Sequence, residues 1–169
     1  TPCEHSFPTR RSSDLQLVVF IRFAGCNLNC GYCDTTWANK KDANYDLMTP
    51  DGIYKYIKST QIRNVTLTGG EPLLQEGIKE LLEILCLDDS IHIEIETNGS
   101  INLGKFASID NPPSFNMDYK LPASGMEESM DLNNFSYLTY KDTVKFVASS
   151  IEDLQKSKCI IDKYGLTNK

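Results

Sequence analysis

Cys26, Cys30 and Cys33 crowd into eight positions of the segment AGCNLNCGYCDTTWA, in a C-x3-C-x2-C pattern. Three thiolates on one compact loop can bind a metal, but structural zinc takes four ligands in a closed tetrahedron. No fourth Cys or His lies nearby, and the two histidines, His5 and His92, are poor candidates. A [4Fe–4S] cluster held by three cysteines instead leaves one iron with an open coordination position, an asset where a substrate or cofactor binds the metal directly. The second group is Thr68-Gly69-Gly70-Glu71-Pro72. Two glycines after a strand let backbone approach a ligand closely, and Glu71 offers an anion to an ammonium group. Alone, this is a weak turn motif. Downstream of a three-cysteine loop it becomes specific.

The elements that must position these groups follow from residue pattern. Gln16–Phe23 is β-branched and aromatic and reads as a largely buried strand ending at Ala24-Gly25. Thr49-Pro50-Asp51 is a helix start, with a hydroxyl N-cap, Pro at the first position and an acid in the first turn. Asn64–Leu67 is a strand running into the glycines, and Ile78, Leu81, Leu82 and Leu85 form the apolar stripe of a helix. Ile91–Glu96 alternates as a strand before the turn residues Thr97-Asn98-Gly99. Phe115–Tyr119 and Val144–Ala148 are further strands, and Ser150 with Asp153 caps a last helix through Tyr164, stopped by Gly165. Strands alternating with helices predict βαβ units and a parallel sheet, with the chemistry just past the strand ends. Cys86 and Cys159 read as inert packing residues, and Tyr32 and Trp37 as shields of the cysteine loop.

The 169 residues suit one domain, and 40% hydrophobic with 24% charged residues is ordinary for a globular chain. A net charge of −6 argues against a broad nucleic-acid or anionic-membrane footprint, and no apolar run reaches membrane-spanning length. Six cysteines, three of them crowded into eight positions, do not make a disulfide framework and point to a reducing compartment, the cytoplasm. Residues 1–14 lack any periodicity, and HSFPTRRSSDL, from His5 to Leu15, looks like the translation of a sequencing adapter. The expectation is a non-native, disordered leader, with Cys3 and His5 excluded as ligands, and a core domain over 15–169.

Both chemical groups together resemble the radical S-adenosylmethionine superfamily, and within it the 7-carboxy-7-deazaguanine synthase family. FIRFAGC, CNLNCGYCDTTWA, TGGEPLLQ, IEIETNGS and DYKLPASGM carry the resemblance, in the family's order, over Gln16–Leu166. It implies an α/β fold, a partial (β/α)6 barrel missing its terminal elements. It also implies reductive cleavage of S-adenosylmethionine, hydrogen abstraction from 6-carboxy-5,6,7,8-tetrahydropterin, and ring contraction to 7-carboxy-7-deazaguanine, a precursor of queuosine and archaeosine. The family's Gln-Gly-Glu-Gly stretch is replaced by the leader, and its last elements lie beyond Lys169. The expectation is therefore a fragment, weakly stable and inactive as it stands.

By the same resemblance, Cys26, Cys30 and Cys33 ligate the cluster, whose unique iron chelates the amino and carboxylate groups of S-adenosylmethionine. The backbone of Gly69, Gly70 and Glu71 holds the methionine ammonium, Thr97 and Asn98 lie near the cofactor, and Lys120 falls in a further cofactor region. Thr35 matches a magnesium ligand, a hard hydroxyl oxygen on Mg2+ whose other ligands are substrate oxygens and water. Arg22 matches the residue that pairs with the substrate carboxylate, a contact its guanidinium suits, and Thr68 a pterin contact. A flavodoxin-like electron donor and a homodimer are the implied partners, with no nucleic acid and no membrane. Two other readings share the cysteine loop. A glycyl-radical activase usually continues with Cys-His-Asn rather than Cys33-Asp34-Thr35, and a non-catalytic iron–sulfur or zinc module would not need GGEP.

Overall fold

Five short strands pair in parallel in a computed structural model that describes residues 16–40 and 43–166. They are β1 (Val18–Phe23), β2 (Asn64–Gly69), β3 (His92–Thr97), β4 (Ser114–Tyr119) and β5 (Thr143–Phe146), and they lie side by side in chain order. The leader read at 1–14, with Cys3 and His5, falls outside the described residues. Parallel neighbours in strict order require each crossover to step the same way, and crossovers of one hand then stack their helices on one face. The other face is left without helices. This is the winding of a barrel wall rather than of a sheet covered on both sides, and it bears out the expected α/β, partial-barrel fold.

The helices begin and end where local chemistry directs. In α1 (Pro50–Thr60) the Thr49 hydroxyl accepts from the Gly52 amide at 3.1 Å. Along α2 (Ile78–Cys86) the residues Ile78, Leu81, Leu82 and Leu85 are all buried, as their spacing predicts. After the single turn α3 (Gly104–Ala107), helix α4 (Ile151–Tyr164) is capped by Ser150, whose hydroxyl accepts from the Asp153 amide at 3.0 Å. Gly165, at φ +62°, ends it in the left-handed conformation that favours glycine. Among the described residues, no helix is long and apolar enough to cross a membrane.

Period-2 alternation sorts the strand side chains. Val19, Val65, Leu67, Ile93, Ile95, Phe115 and Met117 enter one core with the apolar stripes of α1 and α2, Leu103 and Phe106. Their neighbours Phe20, Arg22, Thr66, Thr68, Glu94, Glu96, Asn116, Asp118 and Lys145 line a cleft on the opposite face. The register aligns Phe20 with Thr66, Arg22 with Thr68, Thr66 with Glu94 and Asp118 with Lys145, so these form cross-strand rows.

Two expectations are corrected. Strand β1 is not largely buried: it is the sheet edge, Phe20 is 46% exposed and Arg22 is exposed, because every second side chain turns to the cleft. Cys159 does not pack, since it sits on the outer side of α4 beside the buried Ile160, whereas Cys86 is buried as expected.

Candidate functional site

Past the end of β1 the chain leaves the sheet in a loop that carries all three clustered cysteines. That loop is fastened by backbone bonds: Gly25 donates to the Ala38 carbonyl at 3.1 Å, Cys33 to Cys30 at 3.1 Å, and Gly31 to Ser124 at 3.1 Å. The last bond ties it to the connection between β4 and β5. Cys26, Cys30 and Cys33 are half-buried free thiols, and all three line the cleft, which measures about 970 Å³. Around them on the same cleft stand Arg22, Thr35, Thr68, Gly69, Gly70, Thr97, Asn98 and Lys120. Of the residues assigned to cluster, cofactor, magnesium or substrate by the resemblance, only Glu71 is absent from its lining. The site thus gathers at the C-terminal ends of the strands, where parallel sheets and barrels carry their chemistry.

The glycine pair serves the chain's own packing first. The Gly70 amide donates to the Phe23 carbonyl at 2.9 Å and the Glu71 amide to Gly25 at 2.8 Å, locking this loop to the end of β1. A Cβ at Gly69, whose φ is +136°, would run into the Phe23 backbone, and one at Gly70 into the Gly25 carbonyl. Glycine is required here so that two strand ends can meet, and the Gly69 and Gly70 backbone forms part of the cleft wall.

Glu71 departs from the sequence expectation. Its carboxylate is fully buried and accepts from the Leu73 amide at 3.1 Å, the Thr97 hydroxyl at 2.8 Å and the Asn98 amide at 2.7 Å. Burial pushes its pKa up, against the pull of those three donors. The side chain is an internal brace between the glycine loop and the end of β3, not an anion presented to a ligand. Spacing alone could not show which way that carboxylate turned.

Charge in the cleft centres on Lys120. Its ammonium lies 3.0 Å from the Asp118 carboxylate and 5.8 Å from the Tyr32 ring centroid. Burial pulls the lysine pKa down, but the Asp118 carboxylate, together with Cys30 and Tyr32, outweighs it and the net shift is upward. Burial raises the Cys30 thiol, and the Lys120 charge opposes that rise. The Tyr32 hydroxyl and Asp118 Oδ1 are buried without a hydrogen-bond partner among the described residues. Such atoms are normally paired, so two unmet polar atoms on the wall of this cleft fit a site that receives a polar ligand. Trp37, expected to shield the loop, is 55% exposed.

Thr35 donates its hydroxyl to Asp34 Oδ1 at 2.7 Å, which leaves its oxygen lone pairs open to a cation. The Thr68 hydroxyl donates to Glu96 Oε2 at 2.7 Å. Among the described residues, no three His, Cys, Asp or Glu converge on a point that would hold a single metal ion. A four-iron cluster takes one thiolate at each of three corners, and three half-buried free thiols on one cleft fit that demand.

Sequence reasoning missed further polar members of the cleft wall, among them Glu94, Glu96, Asn116, Asp118 and Lys145. The signal was present in the IHIEIE alternation: acids at every second position of a central parallel strand require that one face meet water or a ligand.

Comparison with known proteins agrees with this geometry. Residues 20–118 match the radical SAM superfamily. A 7-carboxy-7-deazaguanine synthase of Clostridium acetobutylicum is 60% identical over 154 residues, covering 91% of this chain and 70% of that protein. One from Methanospirillum hungatei is 36% identical over 146 residues, covering 85% of the chain and 58% of that protein. Among solved structures, QueE from Escherichia coli superposes with a TM-score of 0.66 at 18% identity, covering 86% of the chain and 68% of QueE. Streptococcus suis SuiB bound to S-adenosylmethionine gives 0.62 at 15% identity, over 88% of the chain and 38% of SuiB. These two likenesses concern the fold.

Proposed function

The chain belongs to the radical SAM superfamily and, within it, to the 7-carboxy-7-deazaguanine synthase family, and on that premise we propose that its cleft binds S-adenosylmethionine and a 6-carboxytetrahydropterin beside a [4Fe–4S] cluster. The observation that carries this reading is convergence: three free thiols, the Gly69-Gly70 backbone and Arg22 line one cleft although they are far apart in sequence. When bound, the cluster and S-adenosylmethionine supply the one-electron chemistry that begins conversion of the pterin to 7-carboxy-7-deazaguanine.

The chain's own residues bind, orient and exclude. Cys26, Cys30 and Cys33 hold the cluster. Gly69 and Gly70 present backbone to the methionine end of the cofactor, with Thr97 and Asn98 at the turn beside them. The Lys120 charge, held by Asp118, faces the same region. Arg22 reaches into the cleft from β1 and pairs with the pterin carboxylate, a charge-assisted contact. Thr68, one cross-strand position away, offers a hydroxyl to the pterin. Thr35 lends a hard oxygen to Mg2+. Holding both molecules side by side turns an encounter between them into a step within one site.

Family membership supports an electron donor of flavodoxin type and a homodimer as partners. The five free cysteines among the described residues suit a reducing, cytoplasmic setting. The chain spans 70% and 58% of the two relatives described above, so the activity of the whole protein is part of this proposal. The test uses the chain extended with the flanking segments of its C. acetobutylicum relative, reconstituted anaerobically. Formation of 7-carboxy-7-deazaguanine that requires the pterin, S-adenosylmethionine and reductant supports the reading. Cofactor cleavage without any use of the pterin would assign the chain to other radical chemistry.

A further inference from the structure

Asn98 stands at the end of β3, only 7% exposed, with both its backbone and its side chain fixed. Its backbone amide donates to the buried Glu71 carboxylate at 2.7 Å. Its side-chain Oδ1 accepts from the Ser100 amide at 2.9 Å and the Ser100 hydroxyl at 2.6 Å. A backbone amide can only donate, so the Ser100 amide identifies the oxygen end of the side chain, and the nitrogen must point the other way. That nitrogen lies 3.5 Å from Cys26 Sγ and 3.1 Å from Asn27 Oδ1. The Leu28 amide donates to the same sulfur at 3.4 Å. Among the described residues, Cys26 is thus the cluster cysteine whose sulfur receives N–H donors, one from its own loop and one from across the sheet.

We infer that Asn98 is a positioning residue that sets the reduction potential of the cluster, by donating its side-chain amide to the Cys26 sulfur. The inference rests on the cluster reading above. An N–H donor draws electron density from a ligating sulfur and so favours the reduced cluster, which carries one more negative charge. Glu71 acts through Asn98: it holds the turn from which the amide reaches the sulfur, which gives the inward carboxylate a role in the site without any contact with a ligand.

Wild-type chain and the variants Asn98→Asp, Asn98→Ala and Ser100→Ala are reconstituted anaerobically, and the midpoint of the one-electron reduction is titrated by electron paramagnetic resonance. Asn98→Asp keeps an oxygen for both Ser100 bonds while removing the N–H donor, so the turn survives and the reading does not depend on the alanine variant. Both Asn98 variants should retain the wild-type iron content and show a midpoint below wild type, Asn98→Asp the lower because it adds negative charge. Ser100→Ala removes one hydroxyl donor to the Asn98 oxygen but keeps the Ser100 backbone amide bond that orients the side chain, so it should stay at the wild-type midpoint. Iron-replete Asn98 variants with an unchanged midpoint would overturn the inference, as would Ser100→Ala shifting as far as Asn98→Asp. Wild-type chain that takes up no iron would instead overturn the cluster reading beneath it.

Discussion

On β3, the side chains of Ile93 and Ile95 are buried against the helices, while Glu94 and Glu96, one residue along the same backbone, line the cleft. Strands β2 and β4 repeat the contrast, with Val65 and Leu67 against Thr66 and Thr68, and Phe115 and Met117 against Asn116 and Asp118. A parallel strand covered on both faces reads as an unbroken apolar run. Here the alternation records that one face packs and the other lines the cleft. The packed face should govern stability with little effect on ligands, and the cleft face should do the reverse.

The largest effect expected on that contrast comes from the packed face. Leu67 is fully buried, and Leu67→Ala should cost about 3 kcal/mol of stability, read by chemical denaturation. Lys145, exposed on the cleft face, should change stability by less than about 0.5 kcal/mol when replaced by alanine. Similar losses from the two substitutions would erase the distinction between the faces.

A smaller but more specific effect belongs to Arg22. Losing one charge-assisted contact corresponds to about 1.5–3 kcal/mol, roughly a 10- to 150-fold weaker pterin affinity by calorimetry. The affinity for S-adenosylmethionine and the melting temperature should hold, because Arg22 is exposed and braces nothing in the core. Equal weakening of both ligands would show that Arg22 supports the cleft as a whole.

The smallest effect is one of pH. The Asp153 carboxylate accepts from the Ser149 amide at 2.9 Å and the Ala123 amide at 3.1 Å, and these donors hold its pKa below the ordinary value of 3.8. A carboxylate depressed in the folded state contributes stability that is full above the unfolded value and is lost as pH falls through the folded one. Wild type should therefore exceed Asp153→Asn in stability at pH 7, and the gap should close below about pH 3.8. A gap that stayed constant with pH would remove the carboxylate from the account. Glu71 has the opposite sign: its pKa is raised by burial, so its ionisation opposes folding as pH climbs.

Local signals explain what the sequence made legible. The Thr49 and Ser150 caps, the α2 stripe and the Gly165 stop are short-range chemistry, and each appears where its residues predict. The cysteine loop and the glycine pair stand out because each is a short motif, and the structure brings both to one cleft. What the sequence hid depends on three dimensions. The inward turn of Glu71 needs donors from Thr97 and Asn98, 26 and 27 residues away. The exposure of β1 follows from strand order, and the reach of Asn98 to Cys26 spans 72 residues. None of these leaves a periodic trace.

A [4Fe–4S] cluster on Cys26, Cys30 and Cys33, with one iron open to S-adenosylmethionine, is what the proposed function requires of the cleft face. It is tested most directly by electron paramagnetic resonance of the reconstituted, reduced chain, before and after the cofactor is added. About four irons per chain are expected, with a cluster signal that changes when S-adenosylmethionine binds and loss of both iron and signal in Cys30→Ala. One tightly bound zinc with no iron, or a cluster signal indifferent to S-adenosylmethionine, would contradict it.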